Sequence, residues 1–340
     1  MGHIVANEPT GGVRTPSAKE RHHLARFDNN ESMTESFAER FVTVRSKFGP
    51  LAWGFDPSAT ILESWGLGDT PDGLDRFADL ALEAASGIVG IIKPQAAFFE
   101  RHGWRGFRTL QRLAVDGRSA GLLVIIDAKR GDVGTTNDAY AQAFLGADAP
   151  LAADALTVHP YLGVAAMTSL VRRAHEAGSC LLIVTRSSNP EGRQIQSATV
   201  GYASVEQAIL DEIGRLNAEL AAGRIGPVGA VIGPTHIEPG LDLRSPQAIY
   251  LAPGVGAQGA TASDVARVFE ACPDRVIPSA SRLLLEPGPE LSRLRDTASA
   301  LALEINLTLN NSVTALSSST KAPTRPPSAL TLGSSLTTLP

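Results

Sequence analysis

Gly121-Leu122-Leu123-Val124-Ile125-Ile126-Asp127-Ala128-Lys129-Arg130-Gly131-Asp132 passes from unbroken hydrophobicity into alternating charge within one short segment. The apolar run has the character of a strand buried on both faces, as a parallel sheet covered by helices requires. Residues two apart in an extended chain point the same way, so Asp127 and Lys129 are expected to project together from the strand end while Ala128 faces the opposite layer. An isolated Asp-x-Lys is more simply a weak surface ion pair. Charges that leave a doubly buried strand belong instead at a barrel mouth or sheet edge, where parallel α/β proteins build their sites. Gly131 permits a sharp bend or a close backbone approach, bringing Asp132 near the same pair or turning it towards a neighbouring chain.

Working outward, the same rhythm recurs: a short apolar run ends in polar, Gly or Pro residues and gives way to an Ala/Leu/Glu/Arg-rich stretch. The runs are Leu51 to Asp56, Gly87 to Lys93, Leu122 to Lys129, Ala155 to His159, Cys180 to Thr185, Val228 to Gly233, Ala248 to Pro253 and Val276 to Ser281. Eight strands separated by helical segments predict an α/β fold, a single (β/α)8 barrel; an open doubly wound sheet is the rival. Helices are expected over Leu74 to Ala85, Phe98 to Ala114, Ala139 to Leu145, Ala165 to Ala177, Val205 to Ala222 and Ala262 to Ala271. An amphipathic helix over Glu35 to Phe48 should close the barrel bottom, and Pro289 to Leu307 should form the last helix. The resulting domain plan is an N-terminal extension over 1–34, the barrel over 35–307 and a disordered Ser/Thr/Pro-rich tail over 308–340.

A chain of 340 residues can bury a barrel-sized core. A net charge of −5 and the lack of a Lys/Arg-rich run argue against nucleic acid as a partner. No apolar run approaches the roughly 20 residues that span a bilayer, and the first residues lack the apolar core of a secretory signal, so no membrane partner is expected. Cys180 and Cys272 lie far apart and suggest neither a disulfide framework nor a metal cluster; a reducing cytoplasm is the simplest compartment. No histidine spacing suggests a metal site.

Barrel enzymes assemble their sites at the carboxyl ends of several strands. In this chain those positions hold Asp56, Lys93, Asp127 with Lys129, His159, Ser187 with Ser188 and Asn189, Thr235 with His236, and Ser279 with Ser281 and Arg282. The loop after the seventh run, Pro253-Gly254-Val255-Gly256-Ala257-Gln258-Gly259, offers free backbone N–H groups, and Ser263-Asp264 opens a helix beyond it. A bare Gly-x-Gly is weak evidence, but its place after strand seven, with Arg282 after strand eight, matches the recurrent phosphate site of barrels. Arg282 would supply a fixed cationic fork for phosphate oxygens. Asp56 could accept from a sugar hydroxyl, although Asp-Pro is more often a turn initiator. Lys93 ends an apolar strand, where a snorkelling surface lysine is the alternative. His159 reads as a hydrogen-bonded mouth or core histidine.

Taken together, Asp127-Ala-Lys129-Arg-Gly-Asp132, Lys93-Pro-Gln-Ala-Ala-Phe-Phe-Glu100, Pro253-Gly-Val-Gly-Ala-Gln258-Gly259 and Arg282 resemble the orotidine 5′-phosphate decarboxylase family, in particular its longer, mycobacterial-type bacterial subgroup. The resemblance runs from about Phe37 to Leu307. It implies conversion of orotidine 5′-phosphate to UMP and CO2 in de novo pyrimidine biosynthesis, without a cofactor or metal. It further implies a charged tetrad of Lys93, Asp127, Lys129 and Asp132, with Lys129 as proton donor and Asp132 entering the partner's site in a homodimer with shared active sites. Asp56 then falls on the ribose contact, Thr136 on a contact across the dimer, and Ser188, with Ser187 adjacent, on the pyrimidine contact. Gln258 and Arg282, with Gly254, Gly256 and Gly259 of the loop, fall on the phosphate.

Two other readings stay open at this level. A hexulose-phosphate synthase shares the barrel and the Asp-x-Lys-x-x-Asp element but carries a metal-binding carboxylate where Lys93 stands, and a lysine would repel the cation. A non-catalytic barrel binding a sugar phosphate or nucleotide is the third.

Overall fold

The computed structural model describes residues 34–235, 240–256 and 259–319. Eight parallel strands close into a barrel: β1 (Ala52–Phe55), β2 (Ile91–Pro94), β3 (Leu123–Arg130), β4 (Ala155–Val158), β5 (Cys180–Arg186), β6 (Val228–Ile232), β7 (Tyr250–Pro253) and β8 (Val276–Ala280). Each strand pairs with its sequence neighbours, and β1 pairs with both β2 and β8 to complete the ring. Closure leaves no free edge, and so excludes the open-sheet rival. Every strand lies within or beside one of the eight apolar runs.

Alternation along the strands sorts the core into two parts. Trp53, Phe55, Ile92, Val124, Ile126, Leu156, Ile183 and Tyr250 face outward and pack under the surrounding helices. Ile91, Leu123, Ile125, Ala155, Leu182, Leu251 and Ile277 face inward and form a separate cluster. One step of two residues further up β2 and β3 leads from Ile91 to Lys93 and from Ile125 to Asp127, so the inward series turns from apolar to charged at the upper rim.

Helix α1 (Phe37–Phe48) closes the lower end, as its amphipathic pattern predicts. Ser36 and Glu39 form a capping box that satisfies orphan N–H groups of the first turn. Phe37 and Phe41, 1% and 0% exposed, join the inward cluster, each burial contributing about 2 kcal/mol. Arg40 anchors the helix by pairing with buried Asp154 and donating to Gly178 O at 2.8 Å.

Several helix expectations are revised: the helix expected over Ala139 to Leu145 begins earlier, at Gly134, and Ala165 to Ala177 opens as a 3-10 turn, Val164–Met167, before the helix Thr168–Glu176. The stretch Phe98 to Ala114 is two helices, Ala96–Glu100 and Gly103–Ser119, because Gly103 takes φ +62° at the junction. The helix after β7 starts at a Thr261 cap, closed by Asp264, rather than at Ser263. The last helix runs Leu291–Ser319, beyond Leu307, because the buried stripe Leu294, Ala298, Leu301, Ile305 continues to Leu309. The tail boundary at 308 therefore falls inside a helix; residues 320–340 lie outside the described part, as do residues 1–33. Both cysteines are buried free thiols, and burial pushes each up to about 12. Among the described residues no helix is long and apolar enough to cross a membrane.

Candidate active site

The carboxyl ends of the strands enclose a cavity of about 410 Å³. Its floor is the upper edge of the inward cluster, with Val184, Val231 and Leu251 exposed to it. Its charged wall comes from the first three strands. The Gln95 N–H donates to Phe55 O at 3.1 Å, and Gln95 bridges to Asp127, which laces the ends of β1, β2 and β3 together beside Lys93.

Asp127 sits between two ammonium groups. Lys93 Nζ lies 3.1 Å from Oδ2, Lys129 Nζ 2.6 Å from Oδ1, and the Thr157 hydroxyl donates to Oδ1 at 2.7 Å. Asp56 Oδ1 adds a second, longer pairing to Lys93 at 3.9 Å. Burial by itself would raise the Asp127 pKa, yet the attraction of Lys93 and Lys129 and the hydrogen bonds from Lys129 and Thr157 hold it well below the ordinary carboxylate range. For Lys93 burial works downward, and the attraction of Asp127 and Asp56 outweighs it, leaving the ammonium above its ordinary value. The site is therefore a fixed −/+ array, preorganised around the buried Lys93–Asp127 pair.

The Asp127/Lys129 pair does project to one side, but not by regular strand geometry. The β3–β4 register shifts between Ile126 and Arg130, and Lys129 adopts φ +48°. Arg130 is carried to the outside, where it pairs with Glu100 and lies 5.9 Å from the Tyr140 ring centre. Gly131 follows at a close backbone approach rather than a positive-φ bend: a Cβ there would stand 2.7 Å from His159 O.

Of the other predicted residues, Asp56, Ser187, Ser188, Gly254 and Arg282 line the cavity. Asp132 and Thr136 do not; Asp132 Oδ1 accepts from its neighbour Val133 N at 2.8 Å, and Thr136 is exposed. Gln258 and His236 lie outside the described residues. Gly254, Gly256 and Gly259 all take positive φ (94°, 79°, 82°), which explains the glycines. The expectation of free N–H groups does not hold for four of them, however, and those of Ala257 and Gln258 lie outside the described residues. The N–H groups of Val255, Gly256, Gly259 and Ala260 donate to Ser279, Ala260, Gly256 and Gly254 carbonyls, which close the loop on itself. His159 is exposed and stands off the cavity, not in the core.

Thr157, Arg186 and Glu206 were missed, and Ser281, named only as a strand-end position, was given no role. Thr157, one step of two below His159 on β4, is the polar group that enters the site; the inward period from Ala155 marks it. Ser281 Oγ is buried without a hydrogen-bond partner among the described residues, and its Cβ occupies the space a Cβ on Gly54 would need, at 2.7 Å. Arg186 and Glu206 form a buried bidentate pair, both contacts 2.7 Å, that ties β5 to the helix Val205–Ala221 beneath Ser187 and Ser188. Twenty residues apart in sequence, they read only as two separate charges.

A closed (β/α)8 barrel whose mouth holds a carboxylate clamped between two lysines, in a cavity also lined by an arginine and a glycine loop, has the architecture of an enzyme acting on a small substrate. The profile of the orotidine 5′-phosphate decarboxylase / HUMPS family matches residues 50–286, and the chain belongs to that family. Orotidine 5′-phosphate decarboxylase of Salinispora arenicola is 43% identical over 279 residues, 82% of this chain and 100% of the relative. That of Streptomyces coelicolor is 43% identical over 275 residues, 80% and 97% of the two chains. A solved Streptomyces avermitilis structure, provisionally assigned as an orotidine 5′-phosphate decarboxylase, superposes with a TM-score of 0.78 at 41% identity, covering 82% of this chain and 97% of that one.

Proposed function

We propose that the chain is an orotidine 5′-phosphate decarboxylase, releasing CO2 from C6 of the pyrimidine to give UMP in de novo pyrimidine biosynthesis. The observation that carries this reading is the Lys93–Asp127–Lys129 array at the mouth of the cavity, in a chain of this family. Loss of CO2 leaves an electron pair on C6 that no cofactor delocalises, so the reaction needs a cation in place before the charge develops. Lys129, 41% exposed at its side chain and already paired to Asp127, is positioned to supply that charge and then the proton that completes UMP. Asp127, kept ionised, would stand beside the substrate carboxylate and oppose it in the ground state. Lys93 holds Asp127 in place.

Binding is assigned by the chemistry of the remaining wall. Asp56 Oδ1, buried without a hydrogen-bond donor among the described residues, suits a ribose hydroxyl. Arg282 at the rim suits the phosphate, with Gln258 and the Gly254–Gly259 loop beside it. Ser188, or Ser187 next to it, would meet the pyrimidine edge. Asp132 and Thr136, off this cavity, would complete the site of a second copy in a homodimer. Val133, Tyr161 and Leu162, 53%, 81% and 52% exposed at the same rim, supply an apolar surface that such a dimer would cover. The buried free thiols fit a reducing cytoplasm.

Within the same family, a sugar-phosphate enediolate reaction would need a divalent cation, which the Lys93 ammonium opposes. The test is UMP formation and CO2 release from orotidine 5′-phosphate by the full chain, with and without a chelator. Stoichiometric UMP insensitive to chelator is expected. Failure to form UMP, or its loss on chelation, would refute the reading.

A further inference from the structure

Thr157 lies on the inward face of β4, two residues above Ala155, and is 1% exposed. Its hydroxyl is engaged on both sides. It accepts the backbone N–H of Lys129 at 3.0 Å and donates to Asp127 Oδ1 at 2.7 Å. The direction of these bonds is forced: an amide N–H can only donate, and a carboxylate between two ammonium groups can only accept. The same Oδ1 receives Lys129 Nζ at 2.6 Å. A closed circuit results, from the Lys129 amide through the Thr157 hydroxyl to the Asp127 carboxylate and back to the Lys129 ammonium.

The circuit forms where the backbone is least regular. Lys129 has φ +48°, in the left-handed region, which costs a residue with a Cβ about 1–2 kcal/mol. The β3–β4 register slips at the same place, between Ile126 and Arg130. There the Lys129 N–H turns to a side chain of the neighbouring strand. One hydroxyl thus pins both ends of Lys129: its amide directly, and its ammonium through the oxygen that both groups share.

We infer that Thr157 is a positioning residue, holding Lys129 in its left-handed conformation and aiming its ammonium at the reacting carbon. The inference rests on the reading of Lys129 as proton donor proposed above. Valine matches threonine in shape without the hydroxyl, and serine keeps the hydroxyl without the methyl. In Thr157→Val, kcat should fall about tenfold to a hundredfold, the range of one hydrogen bond to a charged group. KM for orotidine 5′-phosphate and the affinity for UMP should stay within about threefold, because Thr157 acts on aim and not on binding. Thr157→Ser should recover kcat to within about threefold of wild type. A purely structural threonine would instead lower the melting temperature and UMP affinity together with kcat.

A valine variant with near wild-type kcat, a serine variant as impaired as valine, or a joint loss of kcat and UMP affinity would each overturn the inference. If valine prevents folding, Thr157→Ala is judged by the same criteria. The wild-type control separates the two levels. No UMP from wild type refutes the function itself and this inference with it, whereas an active wild type with an undiminished Thr157→Val refutes only the role of Thr157.

Discussion

Replacing Lys129 with alanine should separate chemistry from folding. The lost ion pair, Nζ to Asp127 Oδ1 at 2.6 Å, involves a lysine whose side chain is 41% exposed, so solvent screening limits its stabilisation to about 1 kcal/mol. Alanine keeps the Cβ and hence the cost of the left-handed φ of +48°. Lys93 remains beside Asp127 at 3.1 Å, so the buried carboxylate is not left without a cation. Stability should therefore drop by only about 1 kcal/mol, a shift of roughly 2–4 °C in Tm. Activity should respond on another scale. Removing a general acid costs about 10²–10⁴ in rate, and removing the charge that meets the developing carbanion costs about 10²-fold more. The combined loss is at least about 10⁴-fold in kcat, or ~5.4 kcal/mol.

The assay is UMP formation at saturating orotidine 5′-phosphate, alongside thermal unfolding followed by circular dichroism. Lys129→Gly provides an internal check: it should be equally inactive, yet about 0.5–1 kcal/mol more stable than alanine, because glycine accepts the left-handed conformation. Near wild-type turnover in Lys129→Ala would refute the mechanism. Destabilisation by several kcal/mol would show that the residue's main work is structural.

Arg282→Ala should raise KM by about tenfold or more, the worth of one charge-assisted contact, with kcat at saturation and Tm little changed; an unchanged KM would remove Arg282 from the phosphate site. Gly131→Ala places a Cβ 2.7 Å from His159 O, so the β3 and β4 ends must part; a loss of about 1–3 kcal/mol is expected in urea unfolding, together with lowered kcat as Lys129 moves. Asp127 is held below and Lys93 above its ordinary value, so their contribution to stability is complete from about pH 5 to 9. It fades only as pH falls below ~3.9 towards the folded Asp127 value, or rises past ~10.4 towards the folded Lys93 value. Comparing wild type with Lys93→Met by urea unfolding across pH tests this; a difference that changes near neutrality would contradict it.

The barrel was legible because its signal is redundant: eight apolar runs, each followed by a polar strand end, agree with one another. Residues whose placement follows from alternation, such as Lys93 above Ile91 and Asp127 above Ile125, were legible for the same reason. Three features were not, because they depend on contacts distant in sequence. The left-handed Lys129 is stabilised by Thr157, 28 positions on, and no local propensity favours lysine there. The Gly254–Gly259 loop has the positive φ values its glycines suggest, but the N–H groups of Val255, Gly256 and Gly259 go to carbonyls of the loop and of β8. The Ser/Thr-rich composition after Thr308 hid Leu309, which extends the helix because it falls one turn beyond Ile305 on the same buried face.

Because α1 caps the base of the barrel with Phe37 and Phe41, the pocket is reached, among the described residues, from the upper rim. In the proposed reaction, carbon dioxide would depart by the rim through which the nucleotide enters. The same stopper keeps water from seeping upward beneath Asp127. A helix at the far pole from the chemistry thereby helps to keep the Lys93–Asp127 contact, the more buried of the two, away from solvent.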